Sequence, residues 1–311
     1  MSRVIVVGAG VVGLSCAVRL LEAGHDVDVL ARDLPLETTS SVAAAVWGPY
    51  RADPPERILA WCKAGYDEFA LLAGRPDTGV VMLSGTELHR EPTPDPFWRE
   101  AVPDLTRVSA LGPPYVDGWT FVAPVVEMPV YLPWLRGRVE ALGGTVTRMA
   151  LSALPDRAEV VVNATGLGAR RMARDTTMQP VRGQVVLVEQ VGLRHWWVDG
   201  AAEGGPVYVV PRSHDIVVGG TDQEGEWDRR PDPATAEWIL ERARALVPEL
   251  AGARVRAHRV GLRPARPAVR LEVEPPKERG ASRVVHCYGH GGAGVTLSWG
   301  CADEVAALVG S

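Results

Sequence analysis

Three glycines near the beginning of the chain have the spacing of a dinucleotide-binding turn. Gly8, Gly10 and Gly13 form a G-x-G-x-x-G pattern. Such glycines permit a tight turn and let the backbone approach a pyrophosphate, whose charge then lies at a helix N-terminus. The same pattern also occurs as a plain turn between a strand and a helix, so its meaning depends on the surrounding elements.

Two charged residues follow this turn at the distance where a ribose-binding carboxylate is expected. That carboxylate normally stands about 20 residues after the glycines, and here Asp33 comes slightly late, directly after Arg32. An arginine at this place suits the 2′-phosphate of NADP, and it is also an ordinary residue at an exposed strand end. The pair therefore leaves open whether the dinucleotide is FAD, NAD or NADP.

Arg270 and Tyr208 are candidates for binding an anionic substrate. Arg270 follows an apolar stretch that predicts a half-buried strand, and a buried arginine is best matched by a carboxylate. That carboxylate belongs either to a substrate or to a neighbour, Glu272 or Glu274. Tyr208 stands in a strand-like segment, where a tyrosine either binds a ligand or packs. The residues alone do not decide between these alternatives.

The elements that must position these residues alternate between strand and helix at the two ends of the chain. Residues 4–7, the helix to Glu22 and residues 27–30 form a βαβ unit. Residues 160–162 and 284–286 have the same buried-strand pattern, whereas antiparallel patterns occupy 181–190 and 207–221. Further helices are predicted from the Asp53-Pro54-Pro55 start signal and over 131–142, 234–246 and 295–309, with an irregular proline-rich region over 91–114.

Composition excludes several classes of function. The chain of 311 residues carries 33 Lys+Arg and 38 Asp+Glu, a net charge of −5, which argues against a nucleic-acid binder. We expect no membrane span, because no apolar run reaches about 18 residues, and no signal peptide. The four cysteines form no CxxC pair, so neither a disulfide framework nor a metal site is predicted. A cytoplasmic location is the expectation.

Longer segments spread over the whole chain carry a more specific signal. They are residues 6–15, 38–47, 181–184, 208–211, 261–267 with 270–272, and 288–294. Together they resemble the D-amino-acid oxidase family of FAD-dependent flavoproteins. With the element order, this predicts an α/β fold with a Rossmann-like FAD-binding domain and an inserted antiparallel-sheet substrate domain. The predicted boundaries are 1–50, 143–180 and 260–311 for the FAD-binding domain, and 51–142 and 181–259 for the substrate domain.

The resemblance implies a non-covalently bound FAD. Arg32 and Asp33 would lie near the adenosine ribose, and Thr38, Thr39 and Ser40 would hydrogen-bond the pyrophosphate and ribitol. Amides of a second glycine turn would face the flavin edge where negative charge builds on reduction. The full set of implied cofactor contacts is Gly8, Ala9, Gly10, Val11, Val12, Gly13, Arg32, Asp33, Thr38, Thr39, Ser40, Ala45, Val46, Leu151, Thr165, Arg270, Gly291, Gly292, Gly294, Val295 and Thr296.

The resemblance also implies the chemistry. Arg270 would clamp the substrate carboxylate with help from the Tyr208 hydroxyl, and the Gly292 carbonyl would accept a hydrogen bond from the amine. Tyr50 would line the entrance. Hydride transfer from a neutral or apolar D-amino acid to the flavin would yield a 2-oxo acid and ammonia, and O2 would reoxidise the flavin to give H2O2. A homodimer is compatible with the family.

Three alternatives remain at this point. A D-aspartate oxidase would need a second cation, and Arg212 is the only candidate near Tyr208. A glycine or sarcosine oxidase fits the motifs less well, and a NAD(P)-binding reductase or non-catalytic nucleotide binder would be colourless. Residues 204–207 also lack a second tyrosine that animal members of the family carry on an active-site lid, so a short lid is expected.

Overall fold

The computed structural model describes residues 2–50, 52–109, 111–156, 158–274 and 281–310, and its first three elements confirm the predicted βαβ unit. Strand β1 (Arg3–Val7) is followed by helix α1 (Val11–Glu22) and strand β2 (Asp26–Ala31). The two strands pair in parallel, with Val6 opposite Val29, and both valines are fully buried. A continuous apolar strand is stable here because both faces of the sheet are covered.

The remaining elements include those predicted from the sequence and several strands that were not predicted. The other helices are α2 (Pro55–Ala73), α3 (Met128–Ala141), α4 (Ala169–Met172), α5 (Pro233–Leu246) and α6 (Gly294–Gly310). The other strands are β3 (Val80–His89), β4 (Thr106–Val108), β5 (Asp117–Val126), β6 (Thr145–Arg148), β7 (Val160–Asn163), β8 (Gln179–Glu189), β9 (Trp196–Asp199), β10 (Val207–Pro211), β11 (Asp215–Gly219), β12 (Gln223–Glu224), β13 (Val255–Glu274) and β14 (Arg283–His290). Among the described residues, no helix combines the length and apolarity that crossing a membrane requires.

The strands join into one sheet with a parallel and a largely antiparallel half. In the described part of the chain the order is β4-β5-β3-β9-β10-β11-β8-β13-β14-β7-β1-β2-β6, with β12 paired to β8. From β14 to β6 neighbouring strands are parallel, whereas in the other half only the β3–β9 pair is parallel. This confirms the predicted α/β class; the exact domain boundaries remain a prediction.

Strand β13 connects the two halves by changing partners. Residues 255–265 pair with β8, and Ala265 and residues 270–274 pair with β14, with a register shift between Ala265 and Arg270. Arg263 therefore lies opposite Val181 on β8, whereas Arg270 lies opposite Tyr288 on β14. The two arginines of one sequence segment thus belong to different parts of the sheet.

Close helix packing positions the second glycine turn. At Gly65 and Gly300, an added Cβ would overlap the Thr296 carbonyl oxygen and the Trp61 backbone, respectively. Both glycines lie where α2 and α6 cross, so these helices approach at backbone distance. The N-terminus of α6 is thereby held beside the carboxyl ends of the parallel strands, where ligands bind in such sheets.

Candidate functional site

One cavity of about 1230 Å³ runs from the N-terminus of α1 to the end of the sheet where β10 and β13 lie. The residues predicted to contact a cofactor line it, with one exception, Arg270. Tyr50 and Tyr208, predicted to contact substrate, line the same cavity. A cofactor and a substrate would therefore share one continuous space.

The first glycine turn has the geometry of a pyrophosphate cradle. Gly8 has a φ of 120°, which disfavours other residues. A Cβ at Gly8 would overlap the Ala164 carbonyl oxygen, and a Cβ at Gly13 would overlap that of Gly8. At Gly10 it would lie 3.2 Å from Ser40 Oγ, on the cavity side. A Cβ at each of these positions would approach a different neighbouring atom closely, so glycine is favoured at all three. The backbone amides at the N-terminus of α1 remain open to an anion.

The three hydroxyl residues after β2 have different tasks. Thr38 Oγ1 donates to the Pro35 carbonyl oxygen at 2.7 Å, and Thr39 Oγ1 donates to that of Leu262 at 3.2 Å. Ser40 Oγ instead accepts a hydrogen bond from Val11 N at 3.1 Å. Ser40 therefore keeps its proton for a phosphate oxygen, whereas the two threonines fix the loop through donors that are already used.

Arg32 and Asp33 form an ion pair at the outer end of the cavity. Their Nη2 and Oδ2 atoms are 2.6 Å apart, and the hydrogen bond from Arg32 lowers the pKa of Asp33. The carboxylate is thus ionised and able to accept from ribose hydroxyls. Because Asp33 compensates its charge, Arg32 no longer indicates a 2′-phosphate.

The loop that carries Ala45 and Val46 is fixed against strand β5. Ala45 has a φ of 58°, a left-handed conformation that costs about 1 kcal/mol in a residue with a Cβ. Val46 forms a bridge with Val125, and Val126 N donates to the Ala45 carbonyl oxygen at 2.9 Å. This strained backbone borders the cavity, as expected at a ligand-binding loop.

The second glycine turn closes the cavity from the α6 side. Gly291 has a φ of 54°, and its N–H donates to the Pro264 carbonyl oxygen at 3.0 Å. Thr296 Oγ1 donates to the Gly48 carbonyl oxygen at 2.9 Å and accepts from Gly48 N at 3.0 Å. The Thr296 hydroxyl therefore secures the loop, which leaves backbone amides of the turn for a cofactor.

Arg270 is not among the described residues that line the cavity, in disagreement with its predicted roles as carboxylate clamp and cofactor contact, which remain predictions. Its Nε atom donates to Glu272 Oε1 at 2.7 Å, and Nη1 donates to Tyr288 Oη at 2.7 Å. Glu274 Oε2 lies 4.0 Å from Nη2. In this structure Arg270 forms an internal salt bridge, which was the second alternative left open by the sequence. The register shift in β13 places Arg270 opposite β14.

Arg263, seven residues before Arg270 in strand β13, has the surroundings that the sequence led us to expect for Arg270. It lines the cavity, its side chain is 17% exposed, and Nη1 donates to the Thr221 carbonyl oxygen at 2.9 Å. Nη1 is also 3.3 Å from Asp222 Oδ1. A Cβ on Gly183 would come within 2.5 Å of the guanidinium, so that glycine makes room for it. Arg263 stands in the same segment as Arg270 but was not predicted from the sequence to bind a ligand.

Tyr208, Tyr50 and Gly292 complete this end of the cavity. Burial raises the pKa of Tyr208, against the effect of the nearby Arg263 guanidinium, so its hydroxyl is a neutral donor. Tyr50 Oη donates to Asp222 Oδ2 at 2.8 Å. A Cβ on Gly292 would lie 2.6 Å from Tyr50 Cδ1. A cation and two phenols thus border one space beside the second glycine turn, a suitable set for a carboxylate.

Arg212, the second cation considered for D-aspartate, is directed elsewhere. Its Nε atom is 2.7 Å from Asp215 Oδ1, and its side chain is 5% exposed. It is not one of the described residues that line the cavity. Arg212 is therefore not available to a substrate carboxylate.

His290 directly precedes the second glycine turn, and Cys301 lies in helix α6, which follows that turn. Burial lowers the pKa of His290 to about 4 and raises the pKa of the Cys301 thiol. The ligand atoms of Cys287, His290 and Cys301 lie within 4.8 Å of one another, and all three residues are buried. At neutral pH the imidazole and the Cys301 thiol are thus uncharged, and Cys301 is buried in α6.

Comparison with known proteins agrees with this geometry. Residues 3–308 match the family model described as FAD dependent oxidoreductase. A D-amino-acid oxidase from Rubrobacter xylanophilus is 51% identical over 317 residues, covering 100% of this chain and 97% of that protein. The human D-aspartate oxidase is 38% identical, covering 99% and 94%. The structure of glycine oxidase from Geobacillus kaustophilus superposes with a TM-score of 0.80 at 22% identity, covering 100% and 95%.

Proposed function

Because the chain belongs to the family of FAD-dependent oxidoreductases, we propose that it oxidatively deaminates D-amino acids with O2 as the electron acceptor. The observation that carries this proposal is the shared cavity, with a dinucleotide cradle at one end and Arg263 with Tyr208 at the other. Full-length similarity to a bacterial D-amino-acid oxidase supports the same reaction.

The residues present fit FAD. The cradle requires glycine at positions 8 and 13 for steric reasons, Gly10 keeps the backbone close to Ser40, and the ion-paired Asp33 suits a ribose. Residues of α1, the Ser40 loop and the second glycine turn would hold the pyrophosphate and the isoalloxazine edge. The chemistry supplied by bound FAD is the acceptance of a hydride from the substrate Cα and the transfer of its electrons to O2.

The chain itself binds and orients the substrate. Arg263 and Tyr208 would bind the carboxylate through charge-assisted hydrogen bonds. The Gly292 carbonyl oxygen would accept a hydrogen bond from the neutral amine and so fix the direction of the Cα–H bond. Aromatic walls formed by Trp98, Phe121 and Trp196 would exclude water from this end. These apolar walls favour neutral or apolar substrate side chains, which is our primary expectation.

The test is anaerobic reduction of the purified flavoprotein. D-alanine, L-alanine and D-aspartate are added in separate cuvettes while the visible flavin bands are recorded. We expect D-alanine to bleach the bands and L-alanine to leave them unchanged. Bleaching by D-aspartate alone would replace the proposal by a D-aspartate oxidase, and a colourless protein that takes up no FAD would refute both.

We further propose a cytoplasmic location and a homodimer. The four cysteines are free and buried, which supports a reducing compartment. Light scattering coupled to size-exclusion chromatography gives the molar mass in solution, and a mass near that of one chain would refute the dimer.

A further inference from the structure

A carboxyl group that the proposed reaction does not use lies in the substrate half of the cavity. Glu87, on strand β3, is one of the residues that line it. Glu87 lies opposite Val198 on β9, and Val198 lies opposite Tyr208 on β10. Residues paired in this way project from the same face of a sheet, so Glu87, Val198 and Tyr208 form one row on the cavity side.

The row sets the distance between Glu87 and the carboxylate-binding end. Two strand spacings of about 4.8 Å separate the backbones of Glu87 and Tyr208, or roughly 10 Å. An amino acid held by its carboxylate at Arg263 and Tyr208 would direct a long side chain over this distance. The side chain would run along apolar walls formed by Phe121, Trp196 and Val198.

Glu87 has no strong partner within the part of the chain that the structure describes. Its nearest ion-pair contact is His89 Nε2, 3.8 Å from Oε1, beyond hydrogen-bond distance. Burial lowers the pKa of His89, so that imidazole is neutral and does not compensate a carboxylate. One third of the Glu87 side chain remains accessible, and it borders the cavity.

The other charged side chains near this row already have partners of opposite charge. Asp199 on β9 is 3.0 Å from Arg90, and Asp117 on β5 is hydrogen-bonded to Arg107. Tyr208 on β10 is a neutral phenol, and Arg263 faces Asp222. Burial raises the pKa of Glu87 to about 7, so the carboxyl group changes its charge near neutrality.

We propose that Glu87 determines side-chain specificity by pairing with an ammonium or guanidinium group at the end of a long D-amino-acid side chain. The inference rests on the proposed function and extends it from neutral to basic substrates. The protonated carboxyl tolerates an apolar side chain, and the ionised carboxylate attracts a cation and repels an acidic side chain. Preference for basic over isosteric apolar substrates therefore rises with pH.

The first experiment measures binding without turnover. Hexanoate and 6-aminohexanoate have the carbon skeletons of norleucine and lysine without the α-amino group, so neither is oxidised as an amino acid. Their affinities for the FAD-loaded protein are measured by calorimetry at pH 6 and pH 8.5, with wild type, Glu87→Gln and Glu100→Gln. Glu100 is an exposed carboxylate outside the cavity lining, so its variant controls for loss of one charge.

The expected result is a pH-dependent affinity ratio. With a pKa near 7, the ionised fraction of Glu87 rises about tenfold between pH 6 and pH 8.5, while the ligand ammonium stays charged. The ratio of 6-aminohexanoate to hexanoate affinity should rise by about 5- to 10-fold in wild type and Glu100→Gln, and stay level in Glu87→Gln. A ratio that is equal in Glu87→Gln and wild type, or independent of pH in wild type, overturns the proposal.

A kinetic arm separates this inference from the proposed function. The ratio of kcat/KM for D-lysine to that for D-norleucine should follow the same pH course in wild type and lose it in Glu87→Gln. The requirement for a neutral α-amine is common to both substrates and cancels in the ratio. If D-alanine bleaches the flavin while this ratio is unaffected by Glu87→Gln, specificity by Glu87 fails and the oxidase function stands; if no D-amino acid bleaches it, the function itself fails.

Discussion

Replacing Arg263 and Arg270 separately by methionine distinguishes the two arginines of one sequence segment. Methionine keeps an unbranched side chain of similar length and removes the guanidinium. We expect Arg263→Met to abolish most substrate binding, because Arg263 lines the cavity with only 17% of its side chain exposed. Arg270→Met should leave catalysis nearly intact, because Arg270 does not itself line the cavity and its guanidinium is held by Glu272 and the Tyr288 hydroxyl.

The magnitude follows from the burial of the charge pair. Removing one partner of a buried, hydrogen-bonded charge pair costs about 2–5 kcal/mol, which corresponds to roughly a 30- to 5,000-fold loss in kcat/KM. The carboxylate is bound in both ground and transition states, so much of the loss should appear in KM. For Arg270, the partner Glu272 has a side chain that is 57% exposed. Solvent screens that pair, so we expect kcat/KM to change less than about threefold.

The assay is steady-state oxidation of D-alanine, with O2 consumption as the readout. Flavin absorbance and circular dichroism of each variant serve as controls for cofactor content and folding. A loss of 30-fold or more in Arg270→Met, together with near-normal KM in Arg263→Met, would refute the assignment of the clamp to Arg263.

Three further predictions concern the cofactor cradle, acid stability and the thiols. Gly13→Ala should weaken FAD binding by about tenfold or more in a fluorescence titration of the apoprotein, because its Cβ would overlap a carbonyl oxygen of the same turn. Gly137→Ala is the matched control, because Gly137 lies in open space on α3. That variant should keep the affinity for FAD and stabilise the fold by about 0.5–1 kcal/mol. Burial opposes ionisation of Asp175, but hydrogen bonds from Thr177 and Arg266 hold its pKa below the ordinary value. Its contribution is complete above the unfolded pKa of about 3.9 and is lost as the pH falls through the folded value, so in urea denaturation Asp175→Asn should be less stable at pH 7 and lose less stability on acidification than wild type. All four cysteines are free and buried, so Ellman's reagent should react with native protein only at the rate of unfolding, and fast reaction of the native state would contradict the described packing.

The nucleotide-binding half could be predicted from the sequence because its signals are local. The turn at Gly8 to Gly13, the flanking strands and the closing helix each depend on residues close together in the chain. Strands β3 and β5 were not predicted. Strand β3 acquires its place by pairing with β9, more than 100 residues later, and no local pattern reports such a partner. Glu87 lies on β3, so its position in the cavity also could not be predicted.

The prediction of Arg270 rather than Arg263 has the same physical origin. Residues seven positions apart project from opposite faces of an uninterrupted strand, and a register shift changes that relation. Spacing alone therefore cannot tell whether Arg263 or Arg270 faces a ligand. The exchange of partners in β13 decides it, because the β8 side borders the cavity and the β14 side carries the ion pair with Glu272. The substrate end of the cavity lies where strand β13 passes from the antiparallel half of the sheet to the parallel half. Arg263 and the second glycine turn both lie at this junction. The hydrogen bond from Gly291 N–H to the Pro264 carbonyl oxygen connects them.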